Sequence, residues 1–178
     1  MLSEMRRILV IGSSGAGKST LARRLAGILD LELIHLDSLY WKPGWIESES
    51  EAWKAAVRQA VSKESWIMDG NFSGTLPERL DACDAVIFLD LPRMVCLWRV
   101  LKRVITNFGR TRADMPAGCP ERFDLEFLVW VWNFPVRSRP KVLALLESRC
   151  ATKEVVHLRS RRKVSEFVES QVAARTAV

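Results

Sequence analysis

The chain is short of features that would settle its class at once. Its four cysteines, Cys83, Cys96, Cys119 and Cys150, stand far apart. None forms a C-x-x-C pair, so neither a zinc cage nor a dithiol redox centre is indicated. Scattered single cysteines suit a reducing compartment, where they serve as small core residues. No apolar run approaches the ~20 residues that a membrane span requires. Only "MLSEMRR" precedes the first apolar run, so no secretory signal is read. A soluble cytoplasmic protein without a membrane partner is the expectation. No repeat, low-complexity tract or Pro/Gly linker divides the 178 residues, which fit one domain spanning 1–178. The net charge of +6 is mild, and phosphate ligands account for it as readily as nucleic acid does.

What is present is an alternation of strands and helices. "RILVIG", "LELIHLD", "WIMDG", "AVIFLDLP" and "KEVVHL" are short apolar runs that read as buried strands. Between and after them, "KSTLARRLAGILD", "SESEAWKAAVRQAVSKES", "RMVCLWRVLKRVITNF" and "RKVSEFVESQVAAR" carry helical spacing. In the third, Met94, Leu97, Trp98, Leu101 and Ile105 share one face and Arg99, Lys102 and Arg103 the other. The tryptophans of "EFLVWVWNFP", Trp130 and Trp132, are assigned to the core. Such an alternation predicts a parallel sheet covered on both faces, with ligands beyond the C-terminal strand ends. Asp37, Asp69 and Asp90 fall at such ends.

"GSSGAGKST" stands between the first strand and the first helix. Gly12, Gly17, Lys18 and Ser19 match G-x-x-x-x-G-K-[ST]. Glycines at 12, 15 and 17 allow positive φ and close approach of backbone N–H groups to phosphate. The following helix adds its positive N-terminal end. Gly12, Ser13, Ser14, Gly15, Ala16, Gly17, Lys18, Ser19 and Thr20 are therefore the candidate ATP-binding loop. Lys18 is placed for the β- and γ-phosphates and Ser19 for Mg²⁺.

Two alternatives lack their signatures. There is no N-K-x-D pattern of a GTPase, and no helix-turn-helix, finger or RNA-binding motif. A nucleic-acid partner is possible but no motif indicates one. From Leu91 to Ala113 there are instead six basic residues and no acidic one. Arg110 and Arg112 sit in a Gly/Pro-punctuated loop, about residues 107–123, expected to close as a lid. "HLDSLYWKPGW", within an acceptor segment at about 36–64, offers Asp37 as an orienting or proton-accepting carboxylate. His35, Tyr40, Trp41 and Trp45 supply polar edges and aromatic faces there, with core packing the other reading of the tryptophans.

Together "GSSGAGKST", "HLDSLYWKPGW", "WIMDGNFSGTL", "VIFLDLPR" and "GRTRADMPAGCPERFDLEFLVWVWNFP" resemble the bacterial DNA topology modulation (FlaR-type) family. These are small P-loop proteins related to adenylate kinase. The resemblance covers about residues 7–165. It implies a three-layer α/β P-loop fold of the nucleoside-monophosphate-kinase type, with a five-stranded parallel sheet of order 2-3-1-4-5 and a lid. It also implies that Asp69 helps hold Mg²⁺ and that Arg99 and Arg103 face adenine and phosphates. Arg110 and Arg112 would be lid arginines, and Arg161 would border the adenine. After Asp69 and Gly70 the chain departs from the adenylate kinase pattern, continuing through Asn71 with no arginine before Arg79. Asp69, Asn71 and Arg79 are taken as acceptor-side candidates, and AMP is disfavoured. The function expected is an ATP- and Mg²⁺-dependent phosphotransferase acting on a nucleotide or a small hydroxylated molecule. An ATP-binding regulator of DNA topology is the alternative.

Overall fold

Ile8, Leu9, Val10 and Ile11 are wholly inaccessible to solvent, and they form the centre of strand β1 (Arg7–Gly12). A branched run buried on both sides is what a central parallel strand demands. The structure is a computed structural model that describes residues 2–176. Met1, Ala177 and Val178, the ends of the expected domain, lie outside the described residues. After β1 come α1 (Lys18–Leu29), β2 (Leu33–His35), a short helix α2 (Leu36–Tyr40), and a two-residue-stranded hairpin of β3 (Trp41–Lys42) and β4 (Ile46–Glu47). Then follow α3 (Ser50–Val61), β5 (Trp66–Asp69), α4 (Leu76–Ala82), β6 (Ala85–Leu89) and α5 (Arg93–Asn107). The chain continues through α6 (Leu125–Arg137), α7 (Arg139–Arg149), β7 (Glu154–Leu158) and α8 (Arg161–Thr176).

Five strands form one parallel sheet in the order β2-β5-β1-β6-β7. As labels this differs from the expected 2-3-1-4-5, because the small β3–β4 hairpin intervenes in the chain. Counted among the parallel strands alone, the order is second, third, first, fourth, fifth. The register brings the strand ends level: His35 pairs with Asp69, Val10 with Asp69, and Gly12 with Leu89. Two apolar clusters pack on the sheet, one around Trp66, Phe88 and Val57, the other around Ile8, Leu25 and Val100. They are the two interfaces of a three-layer α/β molecule.

Three sequence expectations change. The second strand stops at His35, so Asp37 is carried by the first turn of α2. On α5 the packed residues are Cys96, Val100 and Val104. Met94, Trp98 and Ile105 of the apolar stripe are exposed instead, because Arg99 and Arg103 need the side facing the glycine loop. Trp130 and Trp132 are also not core residues, at 39% and 41% exposure. Among the described residues no helix is long and apolar enough to cross a membrane.

Candidate functional site

The loop between β1 and α1 is shaped by its glycines. Gly12 has φ 143°, and a Cβ there would stand 2.3 Å from the Leu89 carbonyl oxygen. Gly15 has φ 78°, and a Cβ would meet the Cys96 carbonyl oxygen at 2.2 Å. No side-chain-bearing residue fits either place without moving backbone. The loop is braced from outside. The Gly12 N–H donates to Asn71 Oδ1 at 3.0 Å, and Arg99 Nη1 donates to the Ala16 carbonyl at 3.1 Å. Gly17, in the left-handed region, turns the chain into α1, whose first residue is Lys18. The Lys18 ammonium donates to the Ser13 carbonyl at 3.1 Å. Burial pushes it below its ordinary pKa, against the pull of Asp69 and Asp37.

Next to the lysine lies a set of carboxylates. The Ser19 hydroxyl donates to Asp69 Oδ2 at 2.7 Å, and the other Asp69 oxygen is paired with His35 Nδ1. That hydrogen bond holds the His35 imidazole above its ordinary value. His35 thus orients Asp69. A hydroxyl and a carboxylate at this spacing fit Mg²⁺, which binds through one or two protein oxygens and completes its shell with water and phosphate. No group of three or more His, Cys, Asp or Glu residues suited to a protein-only metal cage exists among the described residues. Asp37 is half-buried, and the loss of solvent around it pushes its carboxyl up although Lys18 pulls the other way.

The loop joining α5 to α6 folds over this set. Across it the Gly109 N–H donates to the Glu121 carbonyl and the Glu121 N–H to the Arg110 carbonyl, and Thr111 is bridged to Pro120. Glu121 is 5% exposed. Its Oε1 pairs with Arg103 Nε at 3.0 Å and Arg112 Nε at 2.5 Å. Arg112 also binds Asp114 Oδ2 at 2.7 Å. Burial pushes the Asp114 carboxyl up, but Arg112, a backbone N–H, Ser19 and His35 together outweigh it and hold it below its ordinary value. The same loop is tied to the β3–β4 hairpin. Gly44 N–H donates to the Gly118 carbonyl at 2.7 Å, Trp45 Nε1 to Pro120 at 2.9 Å, and the Cys119 thiol to Lys42 at 3.2 Å.

A cleft of about 430 Å³ collects part of what the sequence nominated. Ser14 through Thr20, Asp37, Arg99, Arg103 and Arg112 line it, together with Asp114. Other nominees lie elsewhere. Arg79 is fully buried and donates to the carbonyls of Gly70, Asn71 and Phe72, so it fixes the turn after β5 and is not an acceptor-facing cation. Asn71 spends its side-chain oxygen on the glycine loop. Tyr40 packs edge-on against Trp53 at 5.1 Å and leans on Phe72 at 4.7 Å, joining the core rather than an open stacking wall. Trp41 packs against Trp45, whose indole N–H is engaged by the loop. Arg110 is exposed on the loop, and Arg161 stands exposed at the start of α8. Asp90 is held by Arg139 at 2.8 Å and His157 at 2.8 Å, a link between β6, β7 and α7. Sequence reasoning missed Asp114 and Glu121. They sit in a loop without periodicity, and the only available signal was that isolated acids occur among its arginines.

No family model matches the chain, and no curated protein matches it in sequence. Solved structures do match in shape. A shikimate kinase from Acinetobacter baumannii in complex with shikimate superposes with a TM-score of 0.59 at 15% identity, covering 99% of this chain and 96% of that one. A shikimate kinase from Bacteroides thetaiotaomicron gives 0.50 at 16% identity, covering 96% and 98%. A gluconokinase from Sinorhizobium meliloti gives 0.50 at 19%, covering 97% and 92%. The chain has the P-loop kinase fold. At these identities the likeness concerns the fold alone.

Proposed function

We propose that the protein is an ATP- and Mg²⁺-dependent phosphotransferase that passes the γ-phosphoryl group to a hydroxyl of a small hydroxylated molecule. One observation carries this reading: Asp37, a half-buried carboxylate with a raised pKa, lines the same cleft as Lys18 and Arg112. A carboxylate with raised basicity is suited to take the proton of an attacking hydroxyl. A monophosphate attacks through an oxygen that is already ionised and needs no base, whereas a hydroxyl must lose its proton. Asp37 therefore favours the hydroxylated molecule over the nucleotide. The names of the structurally similar proteins, a shikimate kinase and a gluconokinase, agree with a small-molecule acceptor. The resemblance to the DNA topology modulation family fits the same fold.

In this reading the loop N–H groups and Lys18 hold the triphosphate. Ser19 and Asp69 would hold Mg²⁺, with His35 fixing the carboxylate. When bound, the ion would supply neutralisation of phosphate charge. Arg103 and Arg112 face the transferring group and offset the charge it develops. Arg99 keeps the glycine loop in shape, and Arg161 borders the nucleoside. The α5–α6 loop acts as the lid that excludes water, with Arg110 on its outer side. Catalysis is then positioning and electrostatics.

An ADP-release assay across hydroxylated acids, polyols, nucleosides and nucleoside monophosphates tests the proposal. Acceptor-dependent turnover is expected with a hydroxylated molecule, and Lys18→Ala abolishes it. ATP binding without turnover on any acceptor would overturn it. DNA retention that survives Lys18→Ala would instead favour the regulatory alternative.

A further inference from the structure

The exposed stripe on α5 has a definite spacing. Met94, Trp98, Leu101 and Ile105 are separated by steps of four, three and four. On α6, Leu125, Val129, Trp132 and Val136 repeat the same steps. This is the heptad spacing with which helices interlock side chains. Met94, Trp98 and Ile105 are 61%, 59% and 78% exposed. Leu125, Val129, Trp132 and Val136 are 65%, 49%, 41% and 70% exposed.

The two stripes are neighbours. The helices pack on each other, and the Arg93 guanidinium, at the start of α5, lies 4.6 Å from the Trp132 ring in the second half of α6. The helices therefore run antiparallel. Both turn their other faces inward, through Cys96, Val100 and Val104 on α5 and Val131 and Phe134 on α6. Arg99 and Arg103 point to the cleft from that inner side, so the stripes face away from it.

We propose that this face is a self-association surface, where a second copy of the chain lays its own α5–α6 pair to complete a four-helix bundle. Two adjacent helices with unfilled heptad seams need two more helices carrying the same repeat, and a two-fold axis supplies them. The area agrees. At roughly 100 Å² for each half-exposed large side chain, the seven residues present on the order of 700 Å². A standard interface takes about 800 Å² from each partner. The largest apolar patch of an ordinary monomer is about 300–600 Å². A lipid surface is matched by a broader apolar face with a dense cationic rim. Here the seven exposed residues follow one heptad line on each helix, with exposed Trp130 off that line, and Glu126 stands among Arg93, Lys102 and Arg137 at the flanks.

Sedimentation equilibrium of the full chain over a concentration series tests this. The expected species has twice the mass of one chain. Trp98→Glu combined with Val129→Glu, and separately Ile105→Glu, should return the mass to one chain with thermal unfolding and far-UV circular dichroism still cooperative and native-like. Val172→Glu, exposed on α8, should leave the dimer intact. A wild-type mass of one chain throughout would overturn the proposal, as would Glu variants that remain dimeric. Co-sedimentation of a monomeric wild type with phosphatidylserine-containing vesicles would also overturn it, in favour of a lipid partner.

Discussion

Asp37, Arg79 and Gly12 show how differently single residues are constrained. Asp37 sits where proton transfer is proposed, so Asp37→Asn should lower acceptor-dependent turnover by about 10²–10⁴-fold. ATP affinity, measured by calorimetry, should be retained. Arg79 does no chemistry in this picture. Its fully buried guanidinium satisfies three carbonyls, and each orphaned group costs about 1–3 kcal/mol. Arg79→Leu should therefore cost about 3 kcal/mol or more, read as a shift of the urea midpoint at constant m. Gly12→Ala drives a methyl into the Leu89 carbonyl, and nucleotide binding should be lost along with stability. Gly12 and Lys18 were recognisable from spacing alone, since their chemistry follows from a contiguous motif. Arg79 was not. An arginine in a short amphipathic helix looks the same in sequence whether it reaches a ligand or turns inward to backbone oxygens.

At the scale of elements, the links between them decide behaviour. Asp90 joins β6 to α7 and β7 through Arg139 and His157. Burial pushes its carboxyl up, but the two hydrogen bonds outweigh this and hold it below its ordinary value. A depressed carboxylate stabilises the fold above the unfolded-state pKa of about 3.9, and that contribution fades as pH falls through the lower folded value. Melts should accordingly steepen in their pH dependence below about pH 4. Asp90→Asn should flatten this acid limb while lowering the melting temperature at neutral pH. The hairpin-to-loop bond from Trp45 is a second link. Trp45→Phe should change global stability by no more than about 1 kcal/mol, yet speed proteolytic cleavage between α5 and α6. Element types were readable where apolar periodicity is strong, as in β1, β6 and α3. The short α2 and the β3–β4 hairpin were not. Five or two residues hold too little period to register, and their geometry is set by packing on Trp53 and the α5–α6 loop.

For the whole molecule, the alternation of strands and helices was enough to place the cleft. It could not show which face of a helix meets the sheet. On α5 the longer apolar stripe points outward and a smaller set of Cys96, Val100 and Val104 points in, because the arginines at 99 and 103 fix the rotation. The acidic partners Asp114 and Glu121 were hidden for a related reason: they meet Arg112 and Arg103 only because the loop folds back on itself, and no periodicity announces that fold. One arrangement reaches across all scales. Lys42, Gly44 and Trp45 are bonded to Cys119, Gly118 and Pro120, so the β3–β4 hairpin and the α5–α6 loop share one set of bonds. Outward movement of either segment strains or breaks that set. If the proposed phosphotransfer holds, release of its two products should be yoked, with one unclasping event as the slow step of the cycle rather than two separate departures.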